Sequence, residues 1–432
     1  MFFTSLPREI IFQILREAVL SRGIQRAQHL RYVSRAWNEA VTRAIVESGV
    51  LETKRRRSQS NFWPRCAAYR ALSDKFFREA KVPIRLYVVR LVAERVLDYS
   101  NSNARTPTDS SIVTLKDALE TVCTMRHTSM GTVDAQGEDL WDIHIAVPQA
   151  MTRKMKAYYD EVLLGTAAWL NELGLLKETL ESLEDLTGPR KHILQYAISA
   201  AAYKGHNEAV MLLVEAIKDP QVKSEAGQVL IQSASKGNQL STVELGLELD
   251  YVEHNTHFLE RALANTSALP IYERLYEVTR DVGLASLRSY PLFLVTRLLP
   301  DYMREMVDIG AVSIMDHLLR QADLKLVTWY KPTLGMEANP LYRAARSGRL
   351  EAVACLLPGS KRFPLSHDVL LAAAKSGNPG VVQLLLEQPA TADWPLGEAL
   401  KEAICREHEK VARMLLAAPG GCLFRDASTL LG

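Results

Sequence analysis

Two histidines, His254 and His257, have a spacing that could hold a metal ion. A zinc site of the H-E-x-x-H kind also needs a glutamate beside its first histidine, and asparagine stands there in this sequence. A zinc finger needs cysteines close by, and none lies near this pair. We therefore predict that these histidines lie at the exposed start of a helix and bind no metal.

Other motifs that would indicate catalysis are missing from the sequence. It has no G-x-x-x-x-G-K-[ST] phosphate loop and no other glycine-rich nucleotide loop. It also lacks the G-x-S-x-G turn that presents a nucleophilic serine. We therefore predict a protein that is not an enzyme, with no catalytic residue, no cofactor, no metal and no small-molecule substrate.

The composition is that of an ordinary soluble protein, with 47% hydrophobic and 24% charged residues. The 5 cysteines are odd in number and scattered, which favours a reducing compartment. No apolar run approaches the length of a membrane span, and charged residues interrupt the N-terminus where a signal peptide would lie. The expected location is the cytoplasm or the nucleus, without contact with a membrane.

Charge is distributed unevenly along the chain. Residues 1–99 contain 19 Lys and Arg against 9 Asp and Glu, whereas the remainder contains 33 against 41. A basic front and an acidic remainder indicate two functional parts with different partners. The acidic remainder favours a protein client with a basic surface, and direct binding of nucleic acid is not expected.

One phrase of apolar and small residues occurs three times between residues 339 and 416. In each copy, small residues follow an apolar residue at the spacing of one helix face, a turn residue comes next, and a second apolar set predicts a second helix. The turn residues Gly348, Gly377 and Glu407 are 29 and then 30 residues apart. Such a period is typical of helix pairs that complete their cores by stacking on their neighbours. The copies comprise Leu341, Ala344, Ala345, Gly348, Val353, Leu356 and Leu357; Leu370, Ala373, Ala374, Gly377, Val382, Leu385 and Leu386; and Leu400, Ala403, Ile404, Glu407, Ala412, Leu415 and Leu416.

This phrase resembles the ankyrin repeat, whose signature is T-P-L-H-x-A. Asn339, Pro340, Leu341 and Tyr342 match it with a capping residue, a proline at the first helical position and an apolar residue. The resemblance implies an all-α fold, a helical solenoid of degenerate repeats that binds proteins. The alternative is an ordinary antiparallel helical bundle in which the spacing of the three copies coincides by chance.

Weaker copies of the phrase precede these three. Their turn positions fall at residues 171, 205, 237, 266 and 310, and Gly205 with His206 matches the Gly-His of ankyrin repeats. We therefore predict about seven to eight ankyrin-like repeats over residues 158–420, with insertions around 280–300 and 320–338. Insertions in this architecture often fall on the binding side, so Trp329 and Tyr330 are candidate client anchors. The alternative is that both rings pack beneath their own loop.

The first 50 residues predict a small helical module with an apolar stripe. The segments Leu6-Pro7-x-Glu9-Ile10, Ile14-Leu15 and Val33-Ser34-Arg35-x-Trp37-Asn38 follow one another in this module. This pattern is similar to an F-box of the kind found in many fungal proteins, and the resemblance implies a module that docks a Skp-type adaptor of a cullin–RING ubiquitin ligase. Many F-boxes have an Asp-Pro turn between the helices, whereas this chain has Ser21, Arg22 and Gly23, which we expect to break the first helix. The alternative is that the helices only cap the repeats. The candidate docking residues are Leu6, Pro7, Ile10, Ile14, Leu15, Val33 and Trp37.

A helical connector with polar loops is predicted over residues 51–157. Helical patterns cover 64–80, 82–99 and 112–126, and the polar segment 100–111 reads as a loop. The basic run of Lys54, Arg55, Arg56 and Arg57 is a candidate nuclear signal or nucleic-acid patch, or simply a solvated turn. Residues 421–432 are predicted to form a C-terminal tail.

These patterns predict a non-catalytic protein–protein interaction protein. The preferred hypothesis is an adaptor whose front docks a ubiquitin ligase and whose repeats bind a client. The alternatives are a nuclear transcriptional coregulator and a plain scaffold without a ligase role.

Overall fold

The structure is a computed structural model that describes thirteen parts of the chain. The chain consists of two compact units, Met1–Leu230 and Ile231–Gly432. The described residues are 7–29, 35–47, 72, 82–103, 114–129, 144–145, 151–183, 191–252, 256–286, 306–321, 339–357, 365–388 and 394–418.

The described elements are α-helices apart from one pair of two-residue strands, which confirms the predicted all-α class. The strands are antiparallel and pair Val82 with Ile145 and Pro83 with His144. The elements are α1 (Arg8–His29), α2 (Arg35–Glu47), β1 (Val82–Pro83), α3 (Ile84–Asn103), α4 (Leu115–Ser129), β2 (His144–Ile145), α5 (Arg153–Leu170), α6 (Leu173–Ser182), α7 (Lys191–Lys204), α8 (Asn207–Glu215), α9 (Pro220–Lys236), α10 (Leu240–Leu247), α11 (Thr256–Asn265), α12 (Leu269–Ser286), α13 (Val312–Gln321), α14 (Pro340–Arg346), α15 (Leu350–Leu356), α16 (His367–Ser376), α17 (Pro379–Leu386), α18 (Leu396–Cys405) and α19 (Glu409–Ala417).

Helix α1 is longer than the sequence indicated. It runs without interruption through Ser21, Arg22 and Gly23, so the predicted break there is wrong. One glycine inside a helix costs only about 1 kcal/mol relative to alanine, which the remaining turns of a 22-residue helix offset. The Ser21 hydroxyl is accommodated as well, because it donates a hydrogen bond to the carbonyl oxygen of Ala18 at 3.3 Å.

The predicted connector contains α3 and α4, which agree with the helical patterns at 82–99 and 112–126. Helix α3 continues to Asn103, so the predicted loop at 100–111 is wrong over its first four residues. Both pack against α5, and α5 in turn packs closely on α7. Gly165 permits this approach, since a Cβ there would lie 2.5 Å from Cε1 of Tyr196. The buried Tyr196 hydroxyl lies 2.7 Å from the sulfur of Met125 and so links α7 to α4.

Within most of the predicted repeats, the two helices are joined by a turn in which one residue has left-handed backbone geometry. This conformation suits glycine and is tolerated by asparagine. At most of these turns, the amide after the left-handed residue donates to a carbonyl five residues earlier, as from His206 to Ala201 at 3.0 Å. The left-handed residues are Asn171, Gly205, Asn238, Gly310, Gly348, Gly377 and Glu407, with φ of 59°, 79°, 56°, 77°, 68°, 75° and 61°.

These turns confirm the predicted turn positions at 171, 205, 310, 348, 377 and 407. The position at 237 is wrong by one residue, because Asn238 rather than Gly237 has positive φ. With Asn238 as the turn residue, Val243 falls five positions later, as Val353 does after Gly348. Thr266 has no left-handed conformation; its hydroxyl instead donates to Oδ1 of Asn238 at 3.1 Å.

In the second unit the C-terminal repeats form two rows of helices. The first helices α14, α16 and α18 pack side by side, and the second helices α13, α15, α17 and α19 form their own row. The small residues predicted to permit close approach, Ala344, Ala373 and Ala403 among them, are fully buried between the helices. The core of each repeat is therefore completed by its neighbours.

Candidate functional site

Helices α1 and α2 form a helix pair with a small core of its own. Leu15 and Val19 of α1 are buried, and Val41, Ala44 and Ile45 of α2 are buried against them. A cation–π contact also joins the two helices: the Arg43 guanidinium of α2 lies 5.0 Å from the centre of the Phe12 ring of α1. The partly buried side chains packed on this core are Ile11, Phe12, Trp37 and Ala40.

Two of the predicted docking residues lie outside this core. Ile10 is 44% exposed and Ile14 is 40% exposed, and their spacing of four residues places them on one face of α1. We call this pair the docking face. Pro7, which is also exposed, accepts the first hydrogen bonds of the helix from Ile10 and Ile11.

The other predicted docking residues have different positions. Leu15 is buried in the core of the pair and Trp37 packs on it, so both serve the fold of the module. Leu6 and Val33 lie outside the described residues. Leu20, 46% exposed, was missed because the sequence stripe gave no sign that it points outwards.

The repeats are tied together by a recurrent hydrogen bond at their turns. The side chain that follows the left-handed residue reaches back to a main-chain carbonyl of an earlier repeat. Nε2 of His206 lies 3.1 Å from the carbonyl oxygen of Trp169, and Nε2 of His408 lies 3.3 Å from that of Lys375. The Asn378 side-chain amide, which also follows a left-handed residue, donates instead to the carbonyl oxygen of the left-handed Gly348 in the preceding repeat at 2.7 Å.

The environment of His206 changes the pKa of its imidazole. Partial burial lowers its pKa below the ordinary value of 6.5, and the nearby Lys204 ammonium adds to the effect. The carbonyl of Trp169 acts in the opposite direction but does not cancel the burial. The neutral imidazole is therefore the form that the folded turn favours.

A polar cleft crosses the first helices of the three C-terminal repeats. It has a volume of about 440 Å³ and is lined by Tyr342, Arg346, Lys375 and Arg406. We call it the basic cleft. Arg346 and Lys375 occupy the same place in their repeats, two residues before the left-handed glycine, and so recur on one face of adjacent helices.

The carboxylate of Glu402 lies beside two of the cations of the basic cleft. Glu402 Oε1 is 3.6 Å from the Lys375 ammonium, and its Oε2 is 3.5 Å from Nε of Arg406. This cleft was not predicted from the sequence, because its cations are about 30 residues apart in the chain. The available signal was the repeat register, which aligns Arg346 with Lys375.

Several predicted site residues lie outside the described residues, namely Lys54, Arg55, Arg56, Arg57, Trp329 and Tyr330. His257 is in the first turn of α11, whereas His254 is also outside the described ranges. Among the residues that the structure does describe, no group of three or more His, Cys, Asp or Glu could hold a metal ion. Across the same ranges, no helix is long and apolar enough to cross a bilayer.

No protein-family model matches this chain, and no curated protein matches it either. The fold and the site therefore define the class: an all-α protein with an N-terminal helix pair and C-terminal helix–turn–helix repeats that adjoin a basic cleft.

Proposed function

We propose that this protein is an adaptor. Its N-terminal helix pair acts as an F-box-like module that docks a Skp-type adaptor of a cullin–RING ubiquitin ligase. Its helix pairs act as degenerate ankyrin-like repeats that hold a client protein. The protein itself carries out no catalytic step in this scheme.

The observation that carries the proposal is the docking face. The core of the helix pair is complete without Ile10 and Ile14, yet both project from one face of α1 with about two fifths of their surface exposed. Burying the exposed part of each side chain against a partner would contribute about 1 kcal/mol. A helix that presents spaced apolar anchors is a common mode of recognition between a helix and a groove.

The geometry of the turns supports the repeat half of the proposal. The proline after Asn339 occupies the first helical position, and Oδ1 of Asn339 accepts a hydrogen bond from the amide of Leu341 at 2.9 Å. The left-handed residue, the buried alanines and the two rows of helices then recur from repeat to repeat. This is the local pattern that the ankyrin resemblance predicts.

The test is binding of the purified full chain to a purified Skp-type adaptor, measured by calorimetry. The informative variant is Ile10→Asp with Ile14→Asp, which places two charges on the docking face. The matched control is Met151→Asp with Leu240→Asp, because those side chains are 41% and 38% exposed and lie elsewhere. Circular dichroism checks that both variants retain the helix content of the parent.

We expect the parent and the control to bind and the docking-face variant to lose at least about tenfold in affinity, since each aspartate replaces an apolar contact with a desolvated charge. Equal binding by all three proteins would show that the docking face is not the contact surface. No binding by any of them would remove the ligase from the scheme.

A further inference from the structure

The basic cleft carries more positive than negative charge. Three cations line it, and the carboxylate of Glu402 is shared between Lys375 and Arg406. One shared carboxylate cannot neutralise two cations, so the group formed by Lys375, Glu402 and Arg406 keeps a net positive charge. A ligand that supplies carboxylates would improve the electrostatic balance of the cleft.

The cations are arranged in a row because they belong to successive repeats. Arg346 and Lys375 lie in the last turns of α14 and α16, Arg406 directly follows α18, and each of these helices packs directly on the next. Arg406 is one position closer to its left-handed residue than Arg346 and Lys375 are to theirs. Packed helices have axes about 8–10 Å apart, so the row advances by about that distance per repeat. The acceptor groups of a matching ligand should recur at the same interval.

An extended peptide of the polyproline II type has this interval built into its backbone. It has three residues per turn and advances about 3.1 Å per residue, so every third side chain lies on the same face, about 9 Å from the last. Tyr342 adds a phenol that can both donate and accept a hydrogen bond with the peptide. The side chains lining the cleft are also partly solvent-accessible, with about 37% exposure for Lys375 and 49% for Arg406, so a peptide can reach them.

We propose that the basic cleft binds an extended acidic peptide segment of the client, with a carboxylate at every third position. This inference rests on the proposed function in that the repeats are taken as the client-binding part. It differs from the expectation of a basic client, which came from the net charge of residues 100–432 and not from the charge of any one surface. The local charge of the cleft decides what enters it.

The test is fluorescence anisotropy with the full chain and a labelled peptide of ten residues that has glutamate at every third position and glycine or serine elsewhere. One control peptide has glutamine in place of each glutamate. A second has the same three glutamates placed consecutively, which keeps the charge and changes the spacing. Protein variants are Arg346→Gln, Lys375→Gln, Arg406→Gln and the triple variant, with Arg413→Gln as the matched control because Arg413 lies on the second helix α19 and is 75% exposed.

We expect the spaced peptide to bind more tightly than either control peptide. Each single substitution in the cleft should weaken binding about threefold to fivefold, and the triple variant about 30- to 100-fold, as for partly exposed ion pairs that act independently. Arg413→Gln should bind like the parent. Raising the salt concentration should weaken the parent more than the triple variant.

Two results would overturn the proposal. One is equal binding of the spaced peptide by the parent and the triple variant. The other is tighter binding of a labelled single-stranded oligonucleotide than of the peptide, lost in the triple variant, which would assign the cleft to nucleic acid. The triple variant should still bind the Skp-type adaptor and the docking-face variant should still bind the peptide, so failure of one proposal can be told from failure of the other.

Discussion

Replacing Gly377 by alanine tests how the turns of the repeats are held in place. Gly377 has a φ of 75°, and this left-handed conformation costs a residue with a Cβ about 1–2 kcal/mol. Alanine recovers part of that cost, about 0.4–1 kcal/mol, because it restricts the unfolded chain. The backbone alone therefore predicts that the free energy of unfolding falls by about 1 kcal/mol.

The ring of His408 should increase this loss. A Cβ at position 377 would lie 2.5 Å from Nδ1 of His408, so the ring has to move. Moving it breaks the hydrogen bond between Nε2 of His408 and the carbonyl oxygen of Lys375, which contributes about 0.5–1.5 kcal/mol. The full loss expected for Gly377→Ala is therefore about 2 kcal/mol.

Gly348 provides the matched control for this substitution. Its φ of 68° carries the same backbone cost. A Cβ there would meet Cβ of Asn378 and Oγ of Ser376 at 3.4 Å, which is close to ordinary contact. Gly348→Ala should therefore lose only the backbone part, about 1 kcal/mol.

The assay is urea unfolding followed by circular dichroism, applied to the parent, Gly377→Ala, His408→Ala, the double variant and Gly348→Ala. If the His408 ring is the obstacle, the double variant should be more stable than the sum of the single effects predicts, by about 1 kcal/mol. Equal losses from Gly377→Ala with and without His408 would refute the reasoning. Equal losses from Gly377→Ala and Gly348→Ala would refute it as well.

Two further predictions concern other turns. Glu407→Gly should raise the free energy of unfolding by about 0.5 kcal/mol in the urea assay, because glycine adopts the φ of 61° without strain; a loss would show that the Glu407 side chain stabilises the turn. Burial lowers the pKa of His206, so the stability that depends on its neutral form is complete above about pH 6.5 and is lost as the pH falls through the lowered pKa. The melting temperature of the parent should therefore fall more between pH 7.5 and pH 5.5 than that of His206→Asn, in which a side-chain amide can donate to a main-chain carbonyl in place of the ring, as that of Asn378 does elsewhere. Equal falls would show that His206 does not contribute to this pH dependence.

The repeats were predictable from sequence because their signal lies in short-range spacing. An apolar residue, small residues three and four positions later and a turn glycine lie within about two turns of helix, so the pattern is visible in a short stretch of sequence. The predicted turn position was wrong at Gly237, because a glycine was chosen as the turn residue although the spacing to the second helix indicated the next residue. Asn238 tolerates the left-handed conformation, and its Oδ1 also accepts hydrogen bonds from the amides of Ser267 and Ala268, which sequence reasoning did not anticipate.

The N-terminal module shows a different limit. Its apolar stripe predicts a helix, yet Ile14 and Leu15 are adjacent in the sequence and only the second is buried. Which apolar residue faces outwards depends on the angle at which α2 crosses α1, and this is set by packing rather than by periodicity. The predicted helix break failed for a similar reason, because propensity penalties of one residue are small beside the cooperativity of a long helix.

The residues that define the repeat pattern do not identify the client, because the pattern fixes main-chain contacts and leaves the contacting side chains open. The carbonyl oxygen two residues before the left-handed position is an example. In the first unit this oxygen belongs to Trp169 and accepts from His206, and in the second it belongs to Lys375 and accepts from His408. The repeat uses only the main chain of this residue, so its side chain can change without loss of the bond.

The side chains at this position do differ in chemistry. Trp169 stacks on Tyr203 with ring centres 5.5 Å apart, whereas Lys375 points to Glu402 in the basic cleft. A position whose backbone role is fixed can carry side chains of different chemistry, so one fold can present different surfaces. Replacing the partly exposed Lys375 should therefore change binding more than stability, whereas replacing the buried Trp169 should lower stability through lost packing. Substitutions of the turn residues should likewise change stability more than binding.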